Sequence, residues 1–430
     1  MKNLLKSFIV FILQSEARLV MLKYKPKIIG VTGSVGKTGA KDAIFAVIEN
    51  HFFAYKSKKS YNSEIGIPLT ILMIDTGWKS PMLWLRNIVR GIFLIILKNH
   101  YPKLLVLEMG IDRPGDMKRA IKLARPDISV FTTFPETPAH VEYFKNSKEI
   151  HNEKWILAKN TKKGGTIIIN GDDNILVEKE KELRDDCRVI RYGLNEGNDI
   201  RATNIHIFGN GSPKGITFKI DYEGNNVPIK ILGVLGVGYV YSALSAIAVG
   251  ISEGLNLVEI SQAFLSFSPP PGRVRILEGI EGSTLIDDTY NSSPNAAKMA
   301  IGILKEVNGA RKIAILGDML ELGNFTVSEH KDLGKFVAEN AIDLLYTVGP
   351  RAQSIAKGAN DSGMLKKNIK EFLDSKKAGE SLAKIIQKGD VVLIKGSQRM
   401  RLERAVEALL LHPEQKQKLL VRQEKEWFDR

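Results

Sequence analysis

Lys27-Ile-Ile-Gly-Val-Thr-Gly-Ser-Val-Gly-Lys-Thr38 decides how the chain is read. Ile28, Ile29 and Val31 form a short apolar run, which predicts a buried strand over Lys27–Thr32. Glycines then interrupt the run, and from Lys37 to Asn50 the pattern becomes helical. A strand, a glycine-rich turn and a helix in that order turn backbone N–H groups toward an anion at the helix N-terminus. Gly33, Ser34, Val35 and Gly36 are the predicted phosphate cradle. Lys37 is placed to reach the β- and γ-phosphates of ATP, and the Thr38 hydroxyl to hold Mg²⁺. The spacing departs from the strict P-loop pattern, whose leading glycine would fall at Val31.

Downstream, Leu104–Glu108, Ile128–Thr132 and Thr166–Asn170 read as further buried strands with helices between them. That alternation predicts an α/β class: a P-loop central domain with a mostly parallel sheet. Short alternating segments at Ile216–Ile220 and Val227–Ile231 suggest an antiparallel hairpin region, and Tyr241–Ile251 a helix of small residues. Ser268-Pro-Pro-Pro-Gly272 is the clearest boundary, because proline ends regular structure. Beyond it, strands at Thr284–Ile286, Lys312–Leu316, Leu344–Val348 and Val391–Ile394 alternate with helices at Asn295–Val307 and Val327–Asn340. They predict a C-terminal Rossmann-like α/β domain. The expected divisions are residues 1–24 (an amphipathic helix), 25–270, 271–412 and a charged tail, 413–430.

The chain has 430 residues and a formal charge of +14, a balance that suits anionic partners such as nucleotides or an anionic surface. Zinc-finger spacing, RNA-binding aromatic signatures and long basic arms are missing, so nucleic acid is not an expected partner. A single cysteine, Cys187, excludes a disulfide framework and points to the cytoplasm. The N-terminal apolar stretch Leu4–Leu22 is too interrupted to span a bilayer. In Met82–Leu97, Arg86, Asn87, Arg90 and Gly91 share one narrow helical face and the rest is apolar. Two readings stand: a helix packed on its own domain, or peripheral contact with the inner face of a membrane. The chain is read as a monomer.

Further motifs follow in order: Lys59-Ser-Tyr-Asn-Ser-Glu-Ile-Gly-Ile-Pro68, Leu107-Glu-Met-Gly110, Ala139-His140, Asn170-Gly-Asp-Asp173, Gly272-Arg273, Ile286-Asp-Asp-Thr-Tyr-Asn-Ser-Ser-Pro294, Leu316-Gly-Asp-Met-Leu-Glu-Leu-Gly323 and Lys395-Gly-Ser397. With Thr32-Gly-Ser-Val-Gly-Lys-Thr38, this series resembles the Mur ligase family across about Lys25 to Glu403. Ser34-Val35, the Asp-Asp-Thr-Tyr-Asn run and Leu316–Gly323 are most similar to the branch that joins D-alanyl-D-alanine to a UDP-N-acetylmuramoyl tripeptide, a nucleotide-linked sugar peptide.

The resemblance implies ATP and Mg²⁺ as cofactors, and an ADP-forming ligation through an acyl phosphate in peptidoglycan precursor synthesis. It implies metal-binding roles for Thr38, Glu108 and His140, and for Lys154 as a carbamylated, carboxylate-like ligand. It gives Arg273 and Lys37 catalytic charge, and sets Asp288, Tyr290 and Asn291 beside the nucleotide. Asp287 is open between that role and a structural one. Asp318, Glu321, Lys395 and Ser397 fall on the expected amino-acceptor side. Two departures stand out. Twenty-nine residues precede Gly30, where relatives acting on that substrate carry a UDP-sugar-binding domain. Gly236-Val-Gly-Tyr239-Val-Tyr-Ser242 replaces the usual Gly-Arg-His-Asn turn, with stacking on Tyr239 as the expected substitute. Ser63 stands where a second Asn is usual. The alternatives are a Mur-type ligase acting on another carboxylate, forming poly-glutamate or an amide, and a non-catalytic nucleotide-binding scaffold.

Overall fold

A computed structural model describes residues 2–58, 61–62, 64–78, 80–135, 143–424 and 427. His140, and with it the Ala139-His140 motif, lies outside the described residues. The chain divides into two compact units. The first takes 1–204, 218–229 and 237–267; the second takes 205–217, 230–236 and 268–430.

In chain order the first unit and its hairpin strands run α1 (Lys2–Tyr24), β1 (Lys27–Thr32), α2 (Lys37–Ile48), β2 (Ala54–Lys56), α3 (Gly66–Ile71), α4 (Pro81–Ile96), β3 (Leu104–Glu108), α5 (Asp116–Leu123), β4 (Ile128–Phe131), α6 (Ser147–Lys159), β5 (Thr166–Asn170), α7 (Asn174–Glu180), β6 (Arg188–Gly193), β7 (Ile200–Phe208), β8 (Gly215–Tyr222), β9 (Asn225–Leu232), α8 (Val237–Ser252) and α9 (Leu257–Leu265). The sheet order is β2-β3-β1-β4-β5-β6-β7-β8-β9, parallel from β2 through β7. β1 therefore lies between β3 and β4, where the strand order reverses: the chain runs from β1 out to β2, returns to β3, and then crosses to β4 on the other side. In parallel α/β sheets the crevice at the carboxyl ends of such strands is where ligands bind.

One local expectation is corrected. The small-residue helix begins at Val237, so the residues expected to form a nucleotide-contacting turn are the first turns of α8. Tyr239 is buried and packs edge-on against Phe267 at 6.4 Å, which removes it from stacking on a base. α2 and α8 fit closely at Gly39 and Ser242, where a Cβ on Gly39 would crowd the Ser242 hydroxyl. α4 packs on its own unit through Trp84, Leu94 and Ile95, which are half-buried against the core. Its buried residues are Asn87 and Gly91, while Met82, Leu85, Phe93 and Ile96 are exposed. No helix among the described residues is long and apolar enough to cross a membrane.

The second unit runs β10 (Arg275–Glu278), β11 (Thr284–Asp288), α10 (Pro294–Glu306), β12 (Lys312–Gly317), α11 (Thr326–Glu339), β13 (Leu344–Val348), α12 (Gln353–Asp361), β14 (Ile369–Phe372), α13 (Ser375–Ala383), β15 (Val391–Lys395), α14 (Glu403–Leu409) and α15 (Lys416–Leu419). Its six-stranded sheet has the order β10-β11-β15-β12-β13-β14 and is parallel apart from β10. Ile286, Leu316 and Leu393 pack one face of the sheet and Leu285, Ile315 and Ile394 the other, so both faces are dry. That burial on both sides explains why these strands read as continuous apolar runs.

Candidate active site

The glycine-rich turn leaves β1 and enters α2 as its spacing demands. Gly33 has φ 144° and Gly36 φ 85°, conformations that L side chains rarely adopt. A Cβ at Gly33 would also collide with the Thr132 hydroxyl. The end of β4 clamps the turn: Ser34 N–H donates to Thr133 O at 2.8 Å, and Thr132 Oγ1 donates to Val35 O at 2.6 Å. Lys37 Nζ donates to Gly33 O at 3.0 Å and to Ser34 O at 3.2 Å, so the cation lies over the cradle.

The neighbouring strand supplies oxygen. Glu108, buried at the end of β3, accepts from Thr38 Oγ1 at 3.1 Å and from Asn62 Nδ2 at 3.3 Å. A hydroxyl and a carboxylate side by side at the start of the helix are hard donors of the kind Mg²⁺ prefers. Asn62, which sequence reasoning quoted inside a motif without a role, is thus the third member of this group. Its backbone carbonyl also accepts from Gly110 N–H at 3.1 Å. Among the described residues no three His, Cys, Asp or Glu side chains gather at one point. A cation here would rest on Thr38, Glu108 and groups from outside that set.

Lys154 reaches the same turn from α6, which starts at the Asn146 cap. Its Nζ donates to Ser34 Oγ at 2.6 Å and lies 5.7 Å from the centre of the Phe134 ring. Burial, and secondarily the Lys37 cation, pull its pKa from 10.5 down to about 7. A neutral amine is then accessible near neutral pH, and it is the neutral form that reacts with carbon dioxide. One turn earlier, His151 stacks on Phe134 at 5.2 Å and donates from Nε2 to Pro135 O at 3.0 Å. Burial lowers its pKa, which makes it a neutral prop for the wall holding Lys154.

A cavity of about 50 Å³ opens between Ser34, Lys37, Asn62, Gly110 and Lys154. It adjoins a groove of about 880 Å³ through the shared residues Asn62, Gly110 and Asp112. Phe11, Arg18 and Leu19 of α1 line the groove, together with Arg113, Arg119 and Lys122. Glu64, Asp112 and Asp116 line it as well, so the groove that adjoins the phosphate cradle carries charges of both signs.

In the second unit, residues far apart in sequence meet. Asp287 is fully buried and accepts from Gly272 N–H at 3.0 Å and from Thr289 Oγ1 at 2.6 Å. Tyr290 N–H donates to Gly272 O at 2.9 Å. Arg273 is thereby carried over the Tyr290 ring, 4.1 Å from its centre. Asp287 is the structural member of its pair, and burial lifts its pKa to about 6. Asp288 instead pairs with Lys395 at 2.6 Å, and Lys395 also donates to Asn291 O at 2.9 Å. Asp318 Oδ1 accepts from Arg351 and Ala352 N–H, and Ser397 Oγ accepts from Leu320 N–H at 2.9 Å. Glu321 has φ 65° in the turn that follows β12. Sequence reasoning missed Arg422. Its guanidinium is buried, pairs with Glu403 at 2.7 Å, and donates to Thr289 O and Tyr290 O. The charged C-terminal segment is therefore anchored to the Asp287–Asn291 run.

These features define a phosphate-binding α/β enzyme with a second Rossmann-like unit. Residues 91–250 match the Mur ligase middle domain, and residues 272–398 match the Mur ligase, glutamate ligase domain. The chain belongs to the Mur ligase family. The UDP-N-acetylmuramoyl-tripeptide–D-alanyl-D-alanine ligase of Bacillus subtilis is 28% identical over 402 residues, covering 93% of this chain and 79% of that protein. The ligase of the same name from Escherichia coli is 24% identical over 387 residues, covering 89% and 76%. Among solved structures, MurF ligase from Thermotoga maritima in complex with ADP superposes with a TM-score of 0.72 at 27% identity, covering 93% of this chain and 83% of that one. A folylpolyglutamate synthase from Mycobacterium tuberculosis shares the fold, with a TM-score of 0.62 at 14% identity and coverage of 92% and 94%.

Proposed function

We propose that the protein joins D-alanyl-D-alanine to a UDP-N-acetylmuramoyl tripeptide, consuming ATP and releasing ADP and phosphate. The relatives named above carry that activity in their names. The observation that carries the reading in this chain is that Lys37, Lys154 and Asn62 line one cavity, with Asn62 bonded to the Glu108 carboxylate that also accepts from Thr38, and that this cavity adjoins a large groove.

A carboxylate resists acyl transfer because oxide is a poor leaving group. In the proposed reaction a donor carboxylate oxygen attacks the γ-phosphorus and ADP departs. The amine of D-alanyl-D-alanine then attacks the acyl carbon, and phosphate leaves as the amide forms. The Gly33–Gly36 backbone orients the phosphates, and Lys37 balances the charge on the transferring group. The adjoining groove, with cationic and anionic side chains along it, is proposed to hold the donor's peptide arm so that its carboxylate enters the cavity. Magnesium, held by Thr38 and Glu108 with carbamylated Lys154 and His140 completing the set, would supply charge neutralisation of the phosphoryl oxygens. Arg273 adds a permanent, planar cation to the phosphoryl chemistry. Asp288, Tyr290 and Asn291 are proposed to serve the nucleotide, and Asp318, Glu321, Lys395 and Ser397 the incoming amine.

Phosphate release is the test, with UDP-N-acetylmuramoyl tripeptide plus D-alanyl-D-alanine compared against glutamate or ammonia as acceptor. Stimulation by the dipeptide alone supports this reading. Turnover with glutamate or ammonia and none with the muramoyl substrate replaces it with a relative acting on another carboxylate. If neither the protein nor Lys37→Ala makes product, the scaffold reading stands.

A further inference from the structure

α1 and α4 pack on each other with an unusual distribution of polarity. The residues α4 buries are a carboxamide and a glycine. Asn87 Nδ2 donates to Asp75 O at 2.7 Å, and Gly91 lies so close to α1 that a Cβ there would collide with the Glu16 carboxylate. Trp84, Leu94 and Ile95 are half-buried against the core, while a second apolar stripe points the other way. Met82, Leu85, Val89, Phe93 and Ile96 fall at helical spacing and are exposed, Met82 to 74% and Ile96 to 71%. α1 buries Leu13, Glu16, Ala17 and Val20, and leaves Phe8, Phe11 and Leu22 exposed, Phe11 to 68%. The pair is held in register where Lys23 donates to Leu94 O at 3.0 Å and Ile95 O at 2.9 Å, and Tyr24 donates to Leu94 O at 2.9 Å.

A surface helix of a water-soluble domain turns its apolar stripe inward. Here each helix packs part of its apolar surface inward and leaves a further stripe of large apolar side chains outside, the order expected beside hydrocarbon. Contiguous exposed apolar surface of this kind marks an interaction site. Charge selects the partner. α4 has no acidic residue and carries Arg86 and Arg90, both exposed, with Lys98 just beyond its end. The only acidic residue of α1 is Glu16, which is buried, whereas Arg18 and Lys23 are exposed. The exposed charged side chains described on the two helices themselves are basic, which fits the interface of an anionic bilayer.

We propose that the α1–α4 pair seats this enzyme on the surface of an anionic lipid membrane, with Leu85, Val89, Phe93 and Ile96 entering the acyl boundary and Arg86 and Arg90 meeting lipid phosphates. Neither helix spans the membrane; both lie in its plane. The α4 residues that carry this inference, Leu85, Arg86, Val89, Arg90, Phe93 and Ile96, line neither the phosphate cavity nor the adjoining groove, so it does not rest on the proposed substrate.

The test is flotation of the full chain with vesicles. Wild-type protein is expected to float with phosphatidylglycerol–phosphatidylcholine vesicles and more weakly with phosphatidylcholine alone. The double variant Leu85→Glu/Phe93→Glu should lose at least about tenfold in partitioning, since it places charge where apolar area is buried. Arg86→Glu/Arg90→Glu should lose the preference for anionic lipid. All four positions are exposed, so circular dichroism and phosphate release with soluble substrates should remain at wild-type values. Wild-type protein that stays at the bottom of the gradient with anionic vesicles overturns the proposal, as does a Leu85→Glu/Phe93→Glu variant that floats equally well. Sedimentation showing a wild-type dimer that this variant breaks, with neither protein binding vesicles, also overturns it and makes the face a contact between copies.

Discussion

The carboxyl ends of β1 and β3 and the α1–α4 pair belong to the same unit and obey opposite rules. At the strand ends, charged groups are buried and each has an oriented partner: Glu108 with Thr38 and Asn62, Lys154 with Ser34, and Lys41 donating to Ser57 O at 3.0 Å. In the helix pair, one carboxylate is buried with its Oε2 meeting no donor among the described residues, while large apolar side chains remain outside. Burial at the strand ends sets the chemistry of particular groups. Exposure on the helices gives up core packing to make a surface. The contrast separates residues whose loss should stop catalysis from those whose loss should change where the enzyme sits or how stable it is.

Four substitutions test that separation. Lys37→Ala should have the largest effect, a loss of about a thousandfold or more in kcat/KM with the fold intact, the scale of removing a charge that stabilises phosphoryl transfer. A tenfold loss or less would move Lys37 out of the chemistry. Lys154→Met should cost about a hundredfold in kcat, as expected for a group that orients or completes a metal site. Its amine gives an independent reading: with a pKa near 7, its reactivity toward an acylating reagent should rise through about pH 7. Peptide mapping that finds Lys154 titrating with the surface lysines would contradict the role of its burial. Gly33→Ala should weaken nucleotide binding by about tenfold, because the new Cβ meets Thr132 and strains a glycine-only conformation. Calorimetric titration with ADP measures it, and unchanged affinity would mean the turn is not the cradle.

The smallest effect belongs to the helix pair. Burial raises the Glu16 carboxyl from its ordinary 4.5 to about 7. Between those values the folded state holds a proton that the unfolded state releases, so stability falls as pH rises through this window. Glu16→Gln should therefore raise the melting temperature by a few degrees at pH 8 and leave it unchanged at pH 4. Equal shifts at both pH values would show that the carboxyl is not desolvated.

The phosphate loop was legible because its signal is local: an apolar run, glycines at fixed offsets, then Lys-Thr at a helix start. Glu108 was legible for a similar reason, as an acid closing an apolar strand. The roles of Asn62 and Arg422 were not, since each acts through a partner that the fold brings from far along the chain. Arg422 reaches a backbone carbonyl 133 positions away. For α4 the sequence showed the period but not the direction. Arg86, Asn87, Arg90 and Gly91 share one face, and only packing against Asp75 and Glu16 reveals that Asn87 and Gly91 turn inward. Tyr239 failed as a stacking residue because α8 starts earlier than its composition suggested and carries that side chain into the core.

The central claim is that the buried cluster around Lys37, Glu108 and Lys154 activates a carboxylate as an acyl phosphate. The most direct measurement uses a muramoyl-tripeptide donor whose carboxylate carries heavy oxygen, with mass analysis of the released phosphate. The account predicts that one labelled oxygen appears in inorganic phosphate for each amide formed, with ADP as the other product, and that none is transferred by Lys37→Ala. Product formation with unlabelled phosphate, or with AMP and pyrophosphate in place of ADP, would contradict it.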